Sequence, residues 1–189
     1  MARWEPGAQA RLQGAALELI ARQGFERTTA AEIAEAVGLN RRTFFRHFPD
    51  KRDVLFAGQP ALEAALVAGV EQAPAGESPM GVVGLALAQA ADLLATVPRE
   101  RARTNQAIID AEPALRERQR QKYADLAGRL GAALRDRGVG DLAAMLAAES
   151  AAIVFTLAFA QWLADGESRS LSLIITETLA ELQALHAPR

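Results

Sequence analysis

Residues 28–51 read T-T-A-A-E-I-A-E-A-V-G-L-N-R-R-T-F-F-R-H-F-P-D-K, and this stretch restricts the fold more than any other. Thr29 followed three residues later by Glu32 is a capping box, in which a hydroxyl and a carboxylate each satisfy a free backbone amide, so a helix starts there. Ile33, Ala34 and Val37 give that helix an apolar stripe. Gly38 ends it, because glycine enters the left-handed region at little cost. Asn40 caps a second helix on which Phe44 and Phe48, four apart, turn inward. Its outer side carries Arg41, Arg42, Thr43, Phe45, Arg46 and His47. Two short helices across a glycine turn, the second cationic outside, form the helix-turn-helix arrangement that enters a duplex major groove. Thr28 and Thr29 stand where the free amides and hydroxyls of a helix start can meet a phosphate. For Thr29, capping is an equal alternative, and one hydroxyl can serve both roles.

The wider segment, residues 10–55, resembles the DNA-binding domain of the tetracycline-repressor (TetR) family of bacterial regulators. Its landmarks are A-A-L-E-L-I-A-R-Q-G-F, T-T, I-A-E-A-V-G-L, R-T-F-F-R-H-F and P-D-K-R-D-V-L, in unbroken spacing. The resemblance implies an all-α protein with about nine helices. A three-helix DNA-binding head would occupy 1–52, and a helical ligand-binding and dimerisation domain 53–189. It further implies a ligand-responsive regulator, usually a repressor, that binds a palindromic operator as a homodimer and is released by a small hydrophobic effector. In the family a lysine at the position of Lys51 contacts backbone phosphate, and that role is carried onto Lys51. Two positions depart from the commoner pattern: a small residue, frequently glycine, is usual where Arg42 stands, and tyrosine where Phe45 stands. Arg42 adds a guanine reader or phosphate contact, while Phe45 loses a hydroxyl but can press on a thymine methyl. The R-T-F-F-R-H-F form is similar to a subgroup associated with acyl-CoA-like ligands.

Composition fits an all-helical reading: half of the 189 residues are apolar, while β-branched and aromatic residues are scarce. The formal net charge of −2 conceals an asymmetry. Through Arg52 there are nine Arg/Lys against six Asp/Glu, and beyond it twelve against seventeen. A basic head on an acidic body suits DNA binding. The lack of cysteine excludes a disulfide framework and suits a reducing cytosol, so a cytoplasmic, nucleoid-associated protein is expected. The first residues lack the apolar run of a signal peptide.

Along the chain, Arg3 and Trp4 belong to a short arm that could reach a minor groove. A first helix over 8–23 places Leu12, Ala16, Leu19 and Ile20 on one face. After Pro49, Asp50 caps a fourth helix expected to run to about Gln72 with a bend near Gln59, where Gly58 and Pro60 interrupt it. Ser78-Pro79 opens the next helix. A short one fits between Pro98 and Pro113, and a long one spans 114–137 with an inner stripe of Leu115, Gln119, Tyr123, Leu126, Leu130 and Leu134. Asp141 is read as the cap of a helix to Ala164 that is apolar along two rows. One row is Leu142, Leu146, Glu149, Ile153, Thr156, Ala160 and Leu163; the other is Met145, Ala148, Ala152, Phe155, Phe159 and Trp162. This run is long enough for a membrane span. Its central Glu149 and the lack of flanking Lys/Arg speak against one, so no membrane partner is expected.

The last helix repeats Leu171, Ile175, Thr178, Leu182 and Leu185 at the spacing of a packing seam. Together with Phe155, Phe159 and Trp162, this seam is expected to form a four-helix dimer interface. An effector pocket is expected where polar groups meet an apolar wall. Its candidate residues are Arg103, Asn105, Gln106, Ile109, Gln119, Tyr123, Phe155 and Phe159. For an acyl-CoA-like ligand, arginines around 99–103 and 116–120 would pair with phosphates.

No constellation for catalysis is visible. His47 and His186 are the two histidines and neither has a metal partner at helical spacing, so no enzyme, metal or cofactor is expected. Two other readings stay open. A helical carrier of small molecules or acyl chains would show no salt-dependent duplex binding, and an architectural protein without a ligand would have a filled core.

Overall fold

The computed structural model describes residues 7–185; Arg3, Trp4 and His186 lie outside them. Among the described residues there are nine α-helices and no strand. They are α1 (Ala8–Gln23), α2 (Ala30–Glu35), α3 (Arg41–His47), α4 (Gln59–Gln72), α5 (Pro79–Ala95), α6 (Arg99–Ala111), α7 (Pro113–Asp136), α8 (Asp141–Leu163) and α9 (Leu171–Ala184), with a 3-10 helix at Lys51–Phe56. The chain forms two compact units that do not follow its order. One runs up to Gly58 and takes in Glu100–Gln119; the other comprises Gln59–Arg99 and everything from Arg120 onward.

In the first unit α2 and α3, six and seven residues long, are too short to hold themselves as helices. Packing and capping hold them. Leu12, Ala16 and Ile20 of α1 bury against Ile33, Phe44 and Phe48, and Val54 and Leu55 of the 3-10 helix close the cluster. Ile108, Ile109 and Leu115, from the middle of the chain, belong to the same core. Full burial of Phe44 alone contributes about 1.5–3 kcal/mol.

The expected bent fourth helix is instead two elements. Asp50 accepts the Arg52 amide at 2.8 Å and starts the 3-10 helix, which stops before Gly58. Pro60 then occupies the second position of α4, where no amide hydrogen is needed, so it opens a helix instead of kinking one.

In the second unit α4 and α5 pack with backbones nearly touching. A Cβ at Gly69 would stand 2.5 Å from the Ala86 Cα, so only glycine fits. Arg137, past the end of α7, donates to the carbonyls of Val70, Ala73 and Pro74 at 2.9 Å each, satisfying the end of α4. Gly140, not Asp141, is the cap of α8; Asp141 is its first residue, with a solvated carboxylate.

The two rows of α8 separate except at Met145. Ala148, Phe155 and Trp162 of the second row are buried, with Ala152 and Phe159 half-buried; Leu142, Leu146 and Ile153 of the first are exposed by 65%, 58% and 55%. Met145, Leu157 and, on α9, Leu173 share that exposure. This corrects the expected dimer set. Phe155, Trp162, Leu171 and Ile175 are buried within one chain, while Phe159, Thr178 and Leu182 are half-buried. Periodicity showed two apolar faces but not which one the chain's own α5 and α9 would cover. By length and composition α8 could also cross a membrane; 39% of its most apolar window is buried by the fold.

Candidate nucleic-acid interface and an apolar cavity

The turn into α2 is built by the capping box read in the sequence. The Thr29 hydroxyl accepts the Glu32 amide at 3.2 Å, and the Glu32 carboxylate accepts the Thr29 amide at 2.7 Å and its hydroxyl at 2.8 Å. These bonds from Thr29, the amide first, hold the Glu32 carboxyl below its usual range. A negative charge therefore already occupies the start of α2, and any phosphate reaching Thr29 must share its hydroxyl. Thr28 is not available at all. It is fully buried, and its hydroxyl donates to the Gly24 carbonyl at 2.8 Å, tying the end of α1 to the next turn.

Gly38 adopts φ 73°, and Asn40 Oδ1 then accepts the Thr43 amide at 2.9 Å to start α3. On this helix Phe44 is fully buried, tilted against Phe48 at 5.4 Å and edge-on to Phe45 at 5.4 Å. Those contacts fix which way α3 faces. Arg41, Arg42, Phe45 and Arg46 are exposed, and the Arg41 guanidinium lies 5.5 Å over the Phe45 ring. Stacking of this kind orders a long side chain before it meets a partner. Thr43 and His47 are half-buried at the edges. His47 Nε2 is buried with no hydrogen-bond partner, so a phosphate could be met only through Nδ1.

Lys51 has a different role from the one the resemblance implies. Its ammonium donates to the Phe25 carbonyl at 2.8 Å and the Thr28 carbonyl at 2.9 Å, and stands 4.0 Å over the Phe25 ring. It is a strut between the 3-10 helix and the α1–α2 connection. Local propensity could not reveal this, because its acceptors lie more than twenty residues away.

The second unit holds an apolar cavity. Its walls come from Leu62 and Leu66 of α4, Leu87 of α5, Tyr123, Leu126 and Leu130 of α7, and Ala148, Ala152 and Phe155 of α8. Tyr123 meets Phe155 edge-on at 5.9 Å, and Phe159 stacks on Phe155 at 5.6 Å. Tyr123 and Phe155 thus line the cavity as the stripes suggested, with Phe159 behind them.

The other expected pocket residues belong to the first unit and are not in this cavity's wall. Ile109 is in its core, Gln106 and Gln119 exchange amide hydrogen bonds at 3.3 and 2.9 Å, and Arg103 pairs with Glu100 at 2.8 Å. Asn105 Oδ1 is buried without a partner, away from the cavity walls. The α7 stripe looked like one surface but serves two bodies: Leu115 completes the head and Leu126 lines the cavity. Leu62 and Leu66, four apart on one side of α4, and Leu87, one of four leucines on α5, were not singled out in the sequence.

The arginines expected to take phosphates are engaged by the protein. Arg99 donates to the carbonyls of Glu167 and Arg169 and lies 4.9 Å over Trp162; Arg101 bonds Gln13, Arg116 the Asp110 carbonyl, and Arg118 pairs with Asp53 at 2.8 Å.

Residues 14–57 match the profile of bacterial regulatory proteins of the tetR family. This match covers the capped turn, α3 and the Lys51 strut together. The matched segment is about a quarter of the chain. The HTH-type transcriptional regulator TcmR of Streptomyces glaucescens is 49% identical over 65 residues, 34% of this chain and 29% of that protein. The chain thus aligns with less than a third of that curated relative. Among solved structures, FadR of Thermus thermophilus, a TetR-family transcriptional repressor in complex with lauroyl-CoA, is 27% identical with a TM-score of 0.58 over 96% of both chains. SmeT, the repressor of the Stenotrophomonas maltophilia efflux pump SmeDEF, is similar in fold: 20% identity and TM-score 0.59 over 94% of this chain and 89% of its own.

Proposed function

We propose that this chain is a tetR-family DNA-binding transcriptional regulator, acting in the cytoplasm as a homodimeric repressor and released by a small hydrophobic effector. The observation that carries it is the outward ridge of α3, where Arg41, Arg42, Phe45 and Arg46 are exposed above a buried Phe44. Arg41 and Arg42 project from its first turn and are assigned to base edges, with Phe45 against a thymine methyl. Arg46, the free amide hydrogens of Asn40, Thr43 and His47 Nδ1 are assigned to backbone phosphates, and Thr29 contributes only while it also caps α2.

Two heads are needed for a palindromic site. The surface assigned to the second copy is the exposed heptad row of α8, Leu142, Leu146 and Ile153, flanked by Leu157 and by Leu173 of α9. The cavity between α4, α5, α7 and α8 is assigned to the effector. Lauroyl-CoA in the Thermus FadR supports a chain-like apolar ligand. Arg99, Arg101, Arg103, Arg116 and Arg118 already bond protein partners, which supports a neutral effector over an acyl-CoA.

The test is selection of duplexes from a random pool by the purified protein. The expected result is an inverted repeat with half-sites roughly one helical turn or a multiple apart, bound less tightly as salt rises. Recovery of no preferred duplex, with no salt-dependent binding, would refute the reading.

A further inference from the structure

Arg41 and Phe45 stand four apart on α3, so they share one face of the helix. Side chains on a helix lean toward its N-terminus, which brings the Phe45 ring back over the turn that carries Arg41. The Arg41 guanidinium accordingly lies 5.5 Å over that ring. Phe44, fully buried, meets the same ring at 5.4 Å and 82°, so the ring is held from the core as well. Phe45 nonetheless keeps 40% of its surface exposed, on the outward ridge of the helix. A cation and an aromatic ring thus stand together on the candidate reading surface, each steadying the other. The attraction is between a charge and a ring quadrupole, and it leaves the guanidinium its N–H donors for hydrogen bonding.

We propose that Arg41 and Phe45 act as one reading unit, which takes a guanine and a C5-methylated pyrimidine on adjoining base pairs. This rests on α3 entering the major groove, as read above. The apolar group that the groove presents is the methyl at C5 of thymine, and a ring without a hydroxyl has that group to bury against. For a planar fork of donors the matching edge is O6 and N7 of guanine. An unmodified G·C pair has no such methyl, so fork and ring meet different pairs. Base pairs rise by about 3.4 Å each, so pairs two steps apart are separated by about 6.8 Å, more than the 5.5 Å between guanidinium and ring. The two pairs are therefore neighbours. An apolar ring is blind to the O4 and N4 groups that distinguish thymine from cytosine. 5-Methylcytosine carries the same methyl and serves in place of thymine, so the head responds to cytosine methylation at that one step.

The experiment measures the affinity of the full chain for the duplex it selects, by fluorescence anisotropy, with changes made in one half-site. The guanine whose replacement weakens the wild type by about tenfold or more, and Arg41→Ala not at all, is the one that Arg41 reads. At the two pairs beside it, thymine is then compared with uracil, and 5-methylcytosine with cytosine; each comparison removes the methyl alone. At one of these neighbours the methyl should tighten binding about fourfold in both comparisons, the value of one buried carbon, and Phe45→Ala should bring both ratios to unity. Methyl dependence at neither neighbour, in the thymine comparison only, or retained in Phe45→Ala would each overturn the unit. So would a guanine preference that Arg41→Ala leaves intact. If Phe45→Ala does not fold, the wild-type and Arg41→Ala series decide alone. Absence of any preferred, salt-dependent duplex would instead remove the DNA-binding reading, and this inference with it.

Discussion

The head and the body use aromatic residues in opposite ways. In the head, Phe44 is sealed between Phe45 and Phe48, and the polar groups around it are committed: Thr28 to Gly24, Thr29 to Glu32, Asn40 to Thr43, Lys51 to two carbonyls. In the body, Phe155, Phe159 and Trp162 follow one another along α8, Tyr123 of α7 meets the first of them, and that ring contact borders open space. The difference follows from the two tasks. A surface that reads a stiff duplex gains from side chains fixed beforehand, so that little entropy is lost on docking. A wall that admits a small molecule needs slack, and leucines around a small cavity provide it.

The sharpest way to break this comparison is to cut an aromatic from each region. Phe44→Ala should cost about 3–5 kcal/mol and abolish duplex binding, because a close-packed site cannot collapse around the loss. Phe155→Ala, beside existing space, should fall at or below the bottom of that range. Denaturant titration of both variants checks this, and equal costs would mean that the head is packed no better than the body.

A charge at either face of the body separates fold from assembly. Ile175→Asp buries an unpaired carboxylate in the monomer and should unfold the body. Ile153→Asp, on an exposed position, should leave the circular dichroism intact while light scattering shows a monomer. Should Ile153→Asp remain dimeric, the α8 row is not the interface.

Within the head, exposed and committed cations should behave differently. Arg41→Ala and Arg42→Ala should each cost about 1–3 kcal/mol of operator affinity and relax base preference where they read guanine. Lys51→Met should cost about 1–3 kcal/mol of head stability instead, through its two charge-assisted bonds. Its effect on the salt slope should be nil, whereas Arg46→Ala should lower the slope by about one. A salt slope that falls in Lys51→Met would restore the lysine to the phosphate contacts.

The smallest effect is with acid. Hydrogen bonds from the Arg52 side chain hold the Asp50 carboxyl at about 2, and those from Arg169 do the same for Glu167. A carboxylate lowered in the folded state stabilises above its unfolded value, near 4, and that contribution is lost as pH falls toward 2. One such group lies in each unit, so both should lose a little stability over the same window. Asp50→Asn should flatten that loss for the head alone, as followed by Phe and Trp fluorescence against pH.

Much of the head was legible because its signals are local. Thr29, Glu32, Gly38 and Asn40 act on neighbours within four residues, and the structure uses each as its chemistry suggests. Lys51 and Thr28 misled because their partners are set by the tertiary fold. In the body, the stripes of α7 and α8 foretold burial but not what would cover them. The outer row of α8 carries Glu149 and Thr156 while the inner row has no polar residue, and the packing of α5 and α9 covers the latter.

Ile108, Ile109 and Leu115 have one more consequence, for the order of synthesis. The head precedes the body in the chain, yet these three residues of its core are made only after residues 59–99 of the body have been translated. A nascent chain that has exposed α1, α2 and α3 still lacks part of the apolar wall against which they pack. The head is therefore not a module that can fold and probe DNA while the ribosome completes the rest. Its closure waits on sequence-distant contacts, which fold more slowly than local ones. Operator binding becomes possible only once α4 and α5, the first walls of the cavity, have also left the ribosome.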